Sequence, residues 1–236
     1  MSSNLAALMS ATFFEVGYTH LVELVHQRDR AARRHLASLD VTAYDAEGKT
    51  LCAPPVDPRE EILDLGALLQ DVAAPSDRVM VAFDARYDVR IFPYRPHHYA
   101  YFYRPGSSTP PLYYAVNAVL GGVPDRIGTT RFNHFETYLF QNRPFRERYS
   151  LMIGNLSRFA VAEAQIFAYY DRERTSREVI LNPKAHAEVP LPGEHDGQRL
   201  RRVELKGPFR LASYVVGRHA DSGDLLLFDH LFPYSK

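Results

Sequence analysis

Leu39-Asp40-Val41-Thr42-Ala43-Tyr44 is the stretch on which the fold turns. Leu39, Val41 and Ala43 alternate with Asp40, Thr42 and Tyr44, the period-two pattern of a strand with one face buried and one face wet. Asp45-Ala46-Glu47-Gly48-Lys49 follows with hairpin turn chemistry and leads into Thr50-Leu51-Cys52. Upstream, Phe13, Phe14, Val16, Tyr18, Leu21, Val22 and Leu24 crowd residues 12–25, which predicts two short strands rather than one helix. Residues 26–35 are a charged connection. Downstream, Pro54, Pro55 and Pro58 mark a loop. Residues 60–72 hold Ile62, Leu65, Leu68 and Leu69 at near-helical spacing, which fits a helix and equally a strand ending in one helical turn. Residues 79–83 and 89–92 read as an antiparallel pair.

The same order recurs further on. Phe14-Glu15 matches Phe135-Glu136, the 39–44 stretch matches Ala164-Gln165-Ile166-Phe167-Ala168-Tyr169, and Phe92-Pro93-Tyr94 matches Phe232-Pro233-Tyr234. The separation widens in one direction, as it does when a unit is copied and only its loops change length. The added length falls in a Pro/Gly loop at 190–197 and a polar hairpin at 218–224, where insertions are tolerated. Strands at 162–170, 178–181, 202–206, 210–216 and 224–228 fill the second copy. Short strands between turn signals, together with 16 prolines, predict an all-β chain. Its expected form is two tandem antiparallel β-sandwich units, jelly-roll or Ig-like, related by duplication and carrying one short helix. The expected boundaries are 1–94 for the first unit, 95–133 for a Tyr/His-rich connector and 134–236 for the second unit.

Formal net charge is zero, so the chain lacks the electrostatic footprint that a phosphate backbone or an anionic membrane selects. Nucleic acid and membrane are not expected partners. Lys49, Lys184, Lys206 and Lys236 are the only lysines; arginine, suited to bidentate anion contacts and interface ion pairs, supplies the remaining positive charge. Cys52 is the only cysteine, which rules out an intrachain disulfide and a cysteine-based zinc site. Residues 1–9 lack a basic leader pattern, and no apolar run is long enough for a transmembrane helix, so a cytoplasmic location is expected. There is no Gly-x-Gly-x-x-Gly, no phosphate loop and no Gly-x-Ser-x-Gly elbow, which sets aside the dinucleotide-binding, P-loop and α/β-hydrolase chemistries.

The connector begins Arg95-Pro96-His97-His98-Tyr99-Ala100-Tyr101-Phe102-Tyr103-Arg104 and is read as having no counterpart in either unit. A strand here puts His97, Tyr99, Tyr101 and Tyr103 on one face and His98, Ala100 and Phe102 on the other. Tyrosine combines a flat apolar ring with a hydroxyl, a pairing favoured at recognition surfaces. The plainer alternative is that the row packs between the units. His97, Tyr99, Tyr101, Tyr103, Arg104 and Arg131 are the candidate ligand-binding residues, for a protein partner or a small anionic ligand.

His134 and Glu136 stand two apart, a spacing able to present two metal ligands to one side of a strand. With His98 and with His230, which follows Asp229, they form the candidate metal set for a divalent zinc, iron, copper or manganese ion. Glu15 and Glu136 are read as equivalent, each a glutamate in an apolar strand that needs a partner such as Arg131 or Arg143. Asn155-Leu156-Ser157 formally matches a glycosylation acceptor and is better read as a turn after Leu151-Met152-Ile153-Gly154. The expected function is non-catalytic binding through the connector and the interface beside it. The alternative is a metal-dependent enzyme at the same place. A homo-oligomer, most simply a dimer, is expected because open sheet edges are usually covered.

Overall fold

A computed structural model of the chain describes residues 6–24, 30–57, 60–72, 78–88, 97–120, 132–136 and 147–235. It is mostly strand, arranged in a few small antiparallel sheets. The chain divides into two compact units, Met1–Val123 and Pro124–Lys236.

The first unit contains β1 (Ala6–Glu15), β2 (Thr19–Glu23), the helix α1 (Arg30–His35), β3 (Leu36–Tyr44), β4 (Thr50–Cys52), β5 (Ile62–Asp64) and the helix α2 (Leu65–Leu68). β6 (Arg78–Tyr87), β7 (Tyr99–Tyr103), β8 (Leu112–Ala115) and β9 (Asn117–Leu120) complete it. The alternation at 39–44 is realised in β3, where Leu39, Val41 and Ala43 are buried and Asp40 is exposed. The β3–β4 turn closes as its residues dictate. Asp45 Oδ1 accepts from Glu47 N–H and Lys49 N–H at 3.1 and 2.8 Å, and Gly48 takes φ +89°, a left-handed value that glycine adopts without strain.

One local expectation is narrowed and one changes. Residues 60–72 take the second of their two expected forms, the strand β5 followed by one helical turn. Asp64 caps that turn by accepting from Gly66 N–H and Ala67 N–H at 2.9 and 3.3 Å. The charged connection at 26–35 ends in α1, whose Arg33, Arg34 and His35 stand in the last turn, where cations complement the helix dipole.

The first unit has a five-stranded sheet, β4-β3-β6-β1-β9, and a four-stranded sheet, β5-β2-β7-β8. One side of the larger sheet buries Leu8, Ser10, Thr12, Phe14, Val79, Val81, Phe83, Leu39, Val41 and Ala43, which stand opposite one another along the ladders. The smaller sheet buries His20, Val22, Leu63, His98, Ala100, Phe102 and Tyr114. The two sheets meet where the Tyr114 hydroxyl reaches Thr12 Oγ1 at 2.5 Å and where the Phe83 and His98 rings lie 5.3 Å apart.

The second unit runs β10 (Phe132–Glu136), β11 (Glu147–Gly154), β12 (Ala162–Tyr169), β13 (Arg174–Leu181), β14 (His186–Leu191), β15 (Glu194–His195) and β16 (Gln198–Arg199). β17 (Arg202–Gly207), β18 (Ala212–His219), β19 (Leu225–His230) and β20 (Phe232–Ser235) follow. Its sheets are β13-β12-β17-β10-β20 and β14-β11-β18-β19, with β15 and β16 paired as a separate ribbon. With that ribbon set aside and strands counted from the start of each unit, the second order repeats the first. The ribbon occupies the Pro/Gly stretch where extra length was expected. The β18–β19 turn is instead shorter than the β7–β8 loop, so no insertion sits at 218–224.

The strand order also corrects the internal matches. β7, β8 and β9 are hydrogen-bonded into the sheets of the first unit, and β18, β19 and β20 hold the corresponding places in the second. Much of the expected connector is therefore part of the first unit and does have a counterpart. The strand holding Phe232-Pro233-Tyr234 corresponds to β9 and not to residues 92–94, which lie outside the described residues, as does the strand expected at 89–92. Along the ladders, Ala43 opposes Val81, which opposes Thr12; Ala168 opposes Val203, which opposes Glu136. Taking the 39–44 match as the anchor, Glu136 is level with Thr12, three residues from Glu15, and His134 is level with Ser10. An odd offset reverses the sheet face, so Glu15 and Glu136 are not equivalent.

Candidate functional site

β7 realises the expected alternation. Ala100 and Phe102 are buried, Tyr99 and Tyr103 are half-buried, and Tyr101 is 38% exposed. Pairing supplies what the sequence reading missed: Tyr113 of β8 stands opposite Tyr101 and is 47% exposed. The Tyr99 and Tyr113 rings are stacked at 5.4 Å and 11°, and the Tyr101 and Tyr113 rings are tilted at 4.7 Å and 43°. Such offset and tilted pairs contribute beyond their area burial and hold the rings in place. Tyr113 was accessible from sequence, because the same period-two reading of Leu112-Tyr113-Tyr114-Ala115 puts it on the face opposite Tyr114. The result is an aromatic face on a four-stranded sheet, flanked by Leu21 of β2 and by Ile62, 53% exposed, of β5.

The other candidate binding residues fall around this face. His97 is half-buried, with Nδ1 3.5 Å from the Val116 carbonyl oxygen. Arg104 is exposed just beyond β7, its guanidinium 5.5 Å from the Tyr18 ring centre. Arg131 lies outside the described residues.

The opposite side of the same strands is a polar core. The Tyr114 hydroxyl sits between Thr12 Oγ1 at 2.5 Å and His20 Nε2 at 2.6 Å, and His20 stacks on Phe102 at 4.5 Å. Full burial pushes His20 down to about 3, so the ring is neutral at neutral pH. Among the described residues nothing bonds His20 Nδ1 or Ser10 Oγ.

The candidate metal residues are spread over different elements. His98 is buried on the inner side of the first unit, beside Phe83. His134 and Glu136 stand at known ladder positions of β10, but their side chains lie outside the described residues. His230 ends β19, half-buried, with Nδ1 3.3 Å from Asp229 Oδ1 and its ring 5.1 Å from that of Phe232. Among the described residues, Glu173, His195 and Asp196 bring metal-ligating atoms within 4.8 Å of one another. His195 Nε2 lies 3.8 Å from Glu173 Oε2 and 3.9 Å from Asp196 Oδ2, with both carboxylates solvent-exposed, an arrangement of surface ion pairs. Sequence spacing gives no sign of this trio, because Glu173 reaches the others only through the fold. Glu15, expected to find a partner such as Arg131 or Arg143, pairs with its ladder neighbour Arg78, whose Nε donates to Oε2 at 3.2 Å.

Comparison of the chain with protein-family models, with curated proteins and with solved structures returned no match.

Proposed function

We propose that this chain is a non-catalytic binding protein of two tandem β-sandwich units related by duplication, and that it engages its partner through the tyrosine face of β7 and β8. The repeated strand order and the contact between Tyr114 and Thr12 across two sheets support the sandwich reading. The observation that carries the function is the exposed cluster of Tyr101 and Tyr113. Large aromatic side chains left in water on an ordered strand lose free energy of burial that a partner restores, and tyrosine does so at small rotamer cost. Standing on strands rather than loops, the rings are pre-organised for contact.

The test is partner capture from extracts of the producing cells, comparing the parent with a Tyr101→Ser/Tyr113→Ser variant and with an Ile180→Ser control. Ile180 is 70% exposed on β13, on a different sheet. Capture should fail with the tyrosine variant alone, at an unchanged melting temperature. A partner held equally by parent and tyrosine variant rejects this assignment.

A further inference from the structure

We infer that the chain forms a two-fold dimer by joining β13 edge to edge with β13 of a second copy, centred on Ser176. Among the described strands β13 closes its sheet and pairs on one side, with β12. A sheet edge offers its N–H and C=O groups to another chain, and folded proteins blunt it with short strands, prolines or bulges. The other edges of the four main sheets are blunted in these ways. β4, β5, β8 and β9 have only three or four residues. β14 and β20 contain Pro190 and Pro233, and the ladder joining β19 to β18 shifts register between Gly217 and Arg218. β13 has eight residues, no proline and an unshifted ladder with β12. Its counterpart in the first unit's strand order, β4, has three residues and a shifted ladder. Along β13, Arg174, Ser176, Glu178 and Ile180 are exposed on one face and Arg177 on the other, so this edge is open to water.

Charge decides the register. Two identical edges joined into one antiparallel sheet are related by a two-fold axis perpendicular to that sheet, so one residue must face its own copy. The centres nearest the middle of β13 are Ser176, Arg177, Glu178 and Val179. A centre at Arg177 or at Glu178 sets like charges directly opposite one another, which destabilises a ladder. A centre at Val179 sets the Glu178 carboxylate against Ile180. A centre at Ser176 sets Arg174 against Glu178 of the second copy, twice, on the face that Ser176 shares, and sets Arg177 against Thr175 on the other face. Of these centres it alone pairs opposite charges. Both charged groups are already held over β12 on that face. Glu178 Oε1 accepts from Gln165 Nε2 at 3.2 Å, and the Arg174 guanidinium lies 4.9 Å from the Phe167 ring centre. A carboxylate accepts at both oxygens, so Glu178 can keep Gln165 while it meets the arginine of the second copy.

The experiment is disulfide trapping of the full folded chain in a Cys52→Ser background, where an introduced cysteine is the only thiol. Residues facing each other across an antiparallel ladder stand about 4.5–5.5 Å apart at Cα, a span that a disulfide bridges. Under mild oxidation Ser176→Cys should give a covalent dimer at least about tenfold faster than Ile180→Cys, whose two copies lie roughly 25 Å apart in this register. Light scattering on the parent at tens of micromolar should give the mass of a dimer. Glu178→Arg sets arginine against Arg174 and should weaken association at least about tenfold. Arg174→Glu/Glu178→Arg reverses both charges and should restore it. A monomer mass for the parent, crosslinking at Ile180→Cys as fast as at Ser176→Cys, or a dimer that Glu178→Arg leaves intact overturns the inference. The trapping comparison changes no charge on the strand, so it decides the matter even where a charge variant fails to fold.

Discussion

His20 Nε2 lies 2.6 Å from the Tyr114 hydroxyl inside the first unit, and that hydroxyl also meets Thr12 Oγ1 at 2.5 Å. Each neutral tautomer of the ring completes this chain in one direction, with Tyr114 either donating to Nε2 or accepting from it. A charged imidazolium is disfavoured in this fully buried place, which fixes how stability responds to acid.

The first prediction follows from that burial. His20 falls from its ordinary 6.5 to about 3 in the folded chain, so between those values the unfolded chain binds a proton that the folded chain does not. Its contribution is fully present above pH 6.5 and is lost as pH falls toward 3. The slope is about 1.4 kcal/mol per pH unit. Urea unfolding between pH 4 and 6 should show this slope, and His20→Gln should remove about that much of it. An unchanged slope would mean the imidazole is solvated.

Tyr113 and Tyr114 are adjacent on β8 and should answer the same substitution differently. Tyr114→Phe leaves Thr12 Oγ1 and His20 Nε2 buried without their shared partner, at a cost of about 1–3 kcal/mol. Tyr113→Phe alters a hydroxyl at the surface and should change stability by less than about 0.5 kcal/mol. Denaturant midpoints at neutral pH compare the two directly.

The contrast marks what the sequence makes legible. Alternation along one strand is local, so the outward row Tyr99, Tyr101 and Tyr103 and the inward His98, Ala100 and Phe102 follow from spacing alone. Strand pairing is not local. Nothing near Tyr101 in sequence announces Tyr113 as its neighbour, and nothing near Glu15 announces Arg78. The Phe14-Glu15 and Phe135-Glu136 match failed for the same reason: two-residue identities recur by chance, whereas equivalence is fixed by ladder rows such as Ala43, Val81 and Thr12. The strands carrying 39–44 and 164–169, β3 and β12, take the same place in their strand orders, and a longer match with a full alternation and a closing tyrosine constrains an alignment more tightly than two residues do.

Asn155 carries a third prediction. It is fully buried, its Nδ2 donates to the carbonyls of Ala160, Leu181 and Asn182 at 2.8, 3.1 and 3.0 Å, and its Oδ1 accepts from Ser157 N–H at 2.9 Å. The expected turn is thus a side-chain clamp tying the segment after β11 to the end of β13. Asn155→Ala strands several buried backbone groups and should cost at least about 2 kcal/mol. Asn155→Asp should be no better, because a carboxylate cannot donate to those carbonyls. Thermal unfolding of both variants decides it.

The last prediction separates binding from metal chemistry. The metal reading needs His134 and Glu136, yet on the ladder these residues stand level with Ser10 and Thr12 of the first unit, two buried hydroxyl residues of which Thr12 joins the core network through Tyr114. If the units are copies, those rows are places where this fold accepts polar side chains for structural ends. His134→Ser/Glu136→Thr then installs in the second unit what the first already carries, and should shift stability by no more than about 1–2 kcal/mol. The parent, purified without a histidine tag or added metal, should hold far less than one zinc, iron, copper or manganese ion per chain. The exposed trio of Glu173, His195 and Asp196 should not change that, since one imidazole between two solvated carboxylates gives a metal little that water does not. Elemental analysis by mass spectrometry measures the content. A stoichiometric ion in the parent that disappears in the double variant would establish a metal centre and end the non-catalytic assignment.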